Sequence, residues 1–254
     1  MSEYTISTSV LAAFVMDIFG YRKWQLLGDV VGVKLTSAPG YYTGDTTYNK
    51  ITMEGLLFQV GERRDYNPQN ESAEMGNDDQ SFWAMSALRA AETNFPNPPG
   101  PKDPSWLGLA QAVYNEQTAA WDTSTCNGGL RWQVYPTNNG YSLKNSISNG
   151  NLFNIAARLA RYTQDDRYAQ WAVKIWDWME AIGLIDQHFN VFDNSEADRL
   201  NCTQIDRNQW SYNVATMLMG ASTMYNYVST VWRFMDTSEL TISFADKWGP
   251  RMAQ

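Results

Sequence analysis

The chain has 254 residues, 44% of them hydrophobic, which is enough for a packed core. A net charge of −8 and a pI near 4.7 argue against nucleic acid or an anionic membrane surface as partner, because both reward clustered Lys and Arg. No apolar run reaches the roughly 18 residues that a transmembrane helix needs.

Within residues 1–40 the one candidate targeting segment is Ser9–Met16. It follows Glu3 instead of a basic region and lacks a clear cleavage site, so no secretion signal is read there. From Asp45 onward, apolar residues recur at helical spacing, with helix starts near Asp45, Asp78, Ser105, Ser146, Tyr168 and Gln209. Asn77-Asp78-Asp79-Gln80 runs directly into Ser81-Phe82-Trp83-Ala84-Met85, which puts two adjacent carboxylates in the first turn of a helix. The macrodipole there favours their charged forms, while their proximity resists joint ionisation. Paired acids are what most glycoside hydrolases need, although Asp and Asn are also ordinary helix caps. Trp83 reads as core.

Ser105 is a plausible N-cap for a helix whose stripe is Trp106, Leu109, Ala110 and Val113. The stretch from Asp122 to Lys144 is the longest connection. Its segment Gly128–Tyr135 alternates like a short strand or hairpin arm, and Asn138-Asn139-Gly140-Tyr141 reads as a turn. Tyr168, Trp171, Ala172, Ile175, Trp178, Met179 and Ile182 form an amphipathic stripe that stops near Gly183. Asp165 and Asp166 read as a solvated helix start, and His188, the single histidine, supports neither a His-based metal cluster nor a serine triad.

The helices from Asp78, Ser146 and Gln209 are apolar almost all round in their later turns, which predicts inner positions. Those from Ser105 and Tyr168 keep a polar face, which predicts outer ones. The expected architecture is a double ring of helices whose active face gathers the long loops and the inner N-termini. Cys126 and Cys202 sit in polar, loop-like settings, and two readings stay open: one disulfide, or two free buried thiols. Asn70 and Asn201 fit the glycosylation sequon. The 11 Trp and 14 Tyr, many beside Asn, Asp, Gln and Gly, supply residues that stack on sugar rings and bond their hydroxyls, though most of the Trp residues read as core.

Several words occur in order: Tyr-Thr-Gly-Asp-Thr-Thr-Tyr-Asn at 42–49, Gly-Asn-Asp-Asp-Gln at 76–80 and Gly-Gly-Leu-Arg-Trp-Gln at 128–133. Lys-Asn-Ser-Ile-Ser-Asn-Gly at 144–150, Leu-Ala-Arg-Tyr-Thr at 159–163 and Trp-Ser-Tyr-Asn at 210–213 follow. Together they resemble glycoside hydrolase family 76, in its fungal Dfg5/Dcw1-type branch of mannanase-like cell-wall proteins. The resemblance implies an all-α (α/α)6 barrel, incomplete in this chain. It divides the chain into a divergent N-terminal segment (1–40), a partial barrel (41–227) and a divergent C-terminal segment (228–254).

By the same resemblance, Asp78 is the nucleophile and Asp79 the general acid/base of a retaining glycosidase or transglycosidase. Its substrate would be α-1,6-linked mannose, in mannan or the core glycan of a GPI anchor, with β-glucan as a possible acceptor. Around the sugar it places Asn77, Gln80, Trp132, Lys144, Asn145, Asn149, Trp210, Tyr212 and Asn213. Helix capping is the competing role for the Asn residues, and pairing with a structural acid for Lys144. No cofactor is implied, since carboxylates suffice. The resemblance further implies an extracellular monomer at the cell wall or outer membrane face. The alternative reading is a glycan-binding or truncated, inactive homologue.

Overall fold

A computed structural model describes residues 41 and 43–231. Residues 1–40 and 232–254, and with them Ser9–Met16 and most of the 228–254 segment, lie outside the described residues. The described residues include a 3-10 turn at Gln69–Glu71 and six α-helices: α1 (Asn49–Phe58), α2 (Asn77–Glu92), α3 (Trp106–Ala119), α4 (Ser146–Thr163), α5 (Asp166–Ile182) and α6 (Ser211–Val231). Three short strands, β1 (Leu143–Asn145), β2 (Asn194–Glu196) and β3 (Ile205–Asp206), form one antiparallel sheet in that order. Leu143 pairs with Glu196, Asn145 with Asn194, and Asn194 with Asp206.

One helix start differs from the sequence reading: Asp45 lies ahead of α1, where its carboxylate takes the Thr47 N–H at 2.9 Å, whereas α6 begins at Ser211, within two residues of Gln209. The other starts follow local chemistry. Ser105 accepts from Gly108 N at 3.0 Å, Asn145 from Ser148 N at 3.3 Å and Asp165 from Arg167 N at 3.0 Å, each an N-cap relieving an orphan donor. Gly183, at φ 85°, stops α5 in the left-handed conformation.

The inner and outer layers are those the patterning predicts. Every residue of α4 from Ser146 to Ala160 is buried, and most of α2 is too. α4 packs between α2 and α6, while α3 lies on α2 and α5 lies on α4. The α4–α6 contact is close because Gly220 has no side chain: a Cβ there would stand 2.4 Å from Phe153 Cε1. Polar bonds set its register, with Asn154 Nδ2 donating to Thr216 O at 3.1 Å and Thr216 Oγ1 donating to Asn151 Oδ1 at 2.8 Å. Arg158 of α4 reaches Glu92 of α2 with Nε and Nη2, each at 2.8 Å. α5 buries Ala172, Ile175, Trp178 and Met179 and leaves Lys174 and Asp177 in solvent. Trp83 is core, stacked on Tyr66 with centroids 5.9 Å apart.

This is part of an (α/α) barrel, with an inner α2–α4–α6 row backed by α3 and α5. The turns at the C-terminal ends of α2 and α4 carry no strand. The connections 120–145 and 183–210, which hold all three strands, arrive at the N-termini of α4 and α6, and 183–210 is the longer, against the sequence reading, because α6 starts only at Ser211. At the outer edge, α6 exposes Val214, Leu218, Met219 and Tyr225.

Cys126 and Cys202 form a disulfide that ties one long connection to the other, their Cα atoms 5.4 Å apart. The bridge spans a sequence separation of 76, for which loop-closure entropy gives about 4.5 kcal/mol. Cys126→Ser with Cys202→Ser is expected to lower the unfolding free energy by about that amount in urea melts. A loss below about 1 kcal/mol would show that the two connections are held together by their other bonds.

Candidate active site

The first turn of α2 is pinned before it meets any ligand. Gly76 is its N-cap, and Asp79 accepts the Gly76 N–H at Oδ2, 3.0 Å away, which is the reciprocal half of a capping box, glycine having no side chain for the other half. Asp78 and Asn77 are buried and Asp79 is half-buried. Both carboxylates fold back over Gly76, where a Cβ would stand 2.2 Å from Asp78 Oδ1 and 2.9 Å from Asp79 Oδ2. Those two oxygens therefore lie no further apart than the sum, about 5.1 Å.

The segment after the two glycines is not a strand. Gly128 and Gly129 have φ of 142° and 101°, and among the described residues the only ladder contact of this segment is a single bridge between Gly76 and Gln133. Its backbone groups are taken instead by the helix starts. Asn149 of α4 clamps Leu130 from both sides, accepting its N–H at 2.8 Å and donating to its carbonyl at 2.9 Å. Asn77 Nδ2 donates to Arg131 O at 3.0 Å, and Asn77 N donates to Trp132 O at 2.8 Å. Trp132 N in turn donates to Leu143 O at 2.7 Å. Fixed in this way, the indole points Nε1–H at Asp78 Oδ2, 3.3 Å away.

Asp78 and Trp132 line a cavity of about 240 Å³. Leu143 of β1, Asn145 and Ile147 at the head of α4, and Trp210 and Tyr212 at the head of α6 complete its sides, together with Asp193 and Asn194. The Trp210 and Tyr212 rings are stacked, 6.3 Å apart and 6° from parallel. Burial, with the Asp193 and Asp78 carboxylates adding to it, pushes the Tyr212 phenol far above its ordinary pKa, so it stays a hydrogen-bond donor.

The structure thus brings Asp78, Trp132, Asn145, Trp210 and Tyr212 to one cavity, while Asp79, the next residue of α2, is not among its lining residues. It does not bring Asn77, Gln80, Lys144, Asn149 or Asn213 to that wall. Asn77 and Asn149 hold the strap just described. Gln80 is buried and donates to Asp65 O at 2.9 Å and Glu116 Oε2 at 2.5 Å. Burial raises the Glu116 pKa, and the nearby Asp65 raises it further. Asn213 is fully buried and donates to Asp193 Oδ1 at 3.2 Å.

Lys144 is fully buried, its ammonium donating to the carbonyls of Asp122, Thr125 and Gly128 at 2.9, 2.8 and 2.7 Å and pairing with Asp122 Oδ2 at 3.2 Å. Burial works against the Asp122 charge, but hydrogen bonds from Ser124 and Thr125 and the Lys144 ammonium outweigh it and hold the carboxyl well below its usual range. Asn70 is exposed, with Nδ2 donating to Glu71. The Asn201 side chain is committed, Oδ1 accepting the Cys126 N–H at 2.5 Å.

Sequence reasoning missed Asp193 and Asn194. Their one signal is position: polar residues directly after the apolar pair Val191-Phe192, within a long connection leading to an inner helix.

The family model for glycosyl hydrolase family 76 matches residues 37–248, a wider stretch than the recognisable words span. The chain belongs to this family. It is 50% identical over 191 residues to the mannan endo-1,6-alpha-mannosidase DCW1 of Candida albicans, an overlap covering 74% of this chain and 41% of that protein. The crystal structure of Dfg5 from Chaetomium thermophilum in complex with glucosamine matches with a TM-score of 0.74 at 47% identity, over 86% of this chain and 53% of that one. The GH76A alpha-1,6-mannanase of Salegentibacter sp. HEL1_6 shares the fold, with a TM-score of 0.60 at 22% identity over 83% of this chain and 58% of that one. The chain spans about half the length of the curated relatives it matches.

Lys144→Met is expected to destabilise the fold by about 3 kcal/mol, because it leaves three buried carbonyls without their donor and removes one of the two cations paired with Asp122. A chemical denaturation curve reads this directly. Unchanged stability together with weakened sugar binding would return Lys144 to the sugar.

Proposed function

We propose that this chain is a retaining glycosidase or transglycosidase for α-1,6-linked mannose. The observation that carries the reading is the Asp78–Asp79 pair at the head of α2, one oxygen of each no more than about 5.1 Å from the other, as close as the paired carboxyls of a retaining site need. The family match and the relatives named as mannan endo-1,6-alpha-mannosidases supply the linkage.

Asp78 attacks the anomeric carbon while Asp79 gives its proton to the departing glycosidic oxygen. The resulting glycosyl ester on Asp78 is opened by water or by another sugar hydroxyl, whose proton returns to Asp79. The Trp132 indole N–H orients the Asp78 carboxylate from 3.3 Å. The stacked Trp210 and Tyr212 give a sugar ring an aromatic face. With a glucan hydroxyl as acceptor, the same two steps would move a mannose-anchored glycan onto the fungal cell wall, outside the cell, in line with the Dfg5/Dcw1-type resemblance.

Asp78→Asn and Asp79→Asn are each expected to cut turnover of α-1,6-mannotetraose by about 10²–10⁴-fold or more without shifting the melting temperature. The first product seen by NMR should be the α anomer. Full activity in either variant, or a β product, would overturn the reading. Mannoside binding by the unaltered chain with no turnover would make it a glycan-binding homologue instead.

A further inference from the structure

The cavity holds a second carboxylate that the two-acid reaction leaves without a task. Asp193 is positioned by three elements. Its N–H donates to Asp206 O of β3 at 3.1 Å, and its carbonyl accepts from Ser146 N, the first residue of α4, at 2.7 Å. Its Oδ1 accepts from Asn213 Nδ2 of α6 at 3.2 Å, and its Oδ2 from Asn194 Nδ2 at 3.0 Å. Each carboxylate oxygen thus has one amide donor. An ionised carboxylate offers about four lone-pair sites, so each oxygen can accept one bond more.

The surroundings define what can donate those bonds. Among the described residues lining the cavity there is no Lys or Arg: Asp193 and Asp78 are its charged groups, set among Trp132, Leu143, Ile147 and Trp210. An anionic ligand would meet two carboxylates there without a countercharge. A neutral ligand carrying two adjacent hydroxyls fits, since a carboxylate accepts from both at once and the aromatic rings cover the apolar face of the same sugar.

From this geometry we infer that Asp193 is the specificity-determining residue of the cavity, accepting two neighbouring hydroxyls of one sugar ring. It restricts the site to neutral glycans whose diol is unsubstituted and excludes phosphorylated or acidic sugars. Asn213, behind it, is a positioning residue that sets the carboxylate plane. The inference rests on the reading of the cavity as a glycan site and does not depend on turnover.

The test is calorimetric binding of α-1,6-mannotetraose to the full chain carrying Asp78→Asn, with and without Asp193→Asn. The second substitution should weaken binding about ten- to hundredfold, the size expected for hydrogen bonds to a charged acceptor. In the active chain, Asp193→Asn should lower kcat/KM by the same factor for the oligosaccharide and for an aryl mannoside with a good leaving group.

A second measurement varies the ligand. Methyl α-mannosides lacking one hydroxyl at a time should lose affinity for the unaltered chain at two adjacent positions, and lose nothing further on the Asp193→Asn protein. Unchanged affinity in Asp193→Asn overturns the inference. So does activity restored by the good leaving group, which would make Asp193 an acid catalyst, and so does a failure of the unaltered chain to bind any mannoside. Tight binding with the predicted Asp193 dependence and no turnover would sink the catalytic reading and leave this one standing.

Discussion

The structure depends on one strap of backbone, Leu130 to Trp132, laid across the heads of two inner helices. This backbone has no sheet to satisfy it, and buried peptide groups left unpaired are costly. Asn149 of α4 takes both polar groups of Leu130, while Asn77 of α2 takes the carbonyls of Arg131 and Trp132. The bonds that solve this backbone problem also fix the spacing of α2 and α4 at their N-termini. They decide where the Trp132 indole points as well, so the wall of the cavity is a by-product of closing the strap.

The strap separates two electrostatic environments. On one side Arg131 meets Asp122 at 2.9 Å and Asp198 at 2.8 Å, and Lys144 meets Asp122, so the charges there are paired. On the cavity side Asp78 and Asp193 stand among aromatic and aliphatic groups. Nearby carboxylates without a lining cation suit chemistry that passes through a positively charged, oxocarbenium-like sugar. The compensating cations are spent on holding the loop.

What could be read in the sequence was local. Helix stripes, N-caps and the Asp78-Asp79 pair depend on residues within a turn or two of one another, so their spacing carried the inner and outer layers and the acidic helix head. Asn149 and Lys144 occupy words that resemblance placed at the sugar, yet both side chains turn inward, because the backbone they serve comes from Asp122–Arg131, well before them in the chain. Gly128–Tyr135 alternated like a strand, but two glycines at positive φ and partners drawn from helix heads left it without a ladder. Asp193 had no periodic neighbourhood to flag it. It becomes visible only when β2, β3 and the first turn of α6 converge. The Cys126–Cys202 disulfide was one of the two readings their polar loops left open, and tertiary placement decided it.

The Lys144 seat has the form of an ion-binding site. Three carbonyl oxygens and a carboxylate converge on one positive charge at 2.7 to 3.2 Å. Here the cation is covalently attached to the chain, through a strand that is itself part of the sheet. A loop built around a free metal ion would track the composition of the medium, tightening or loosening with supply and chelation. A loop organised by its own tethered ammonium carries its ion at fixed, effectively saturating concentration, so the cavity it supports would keep its shape in surroundings where ion levels are not under the cell's control.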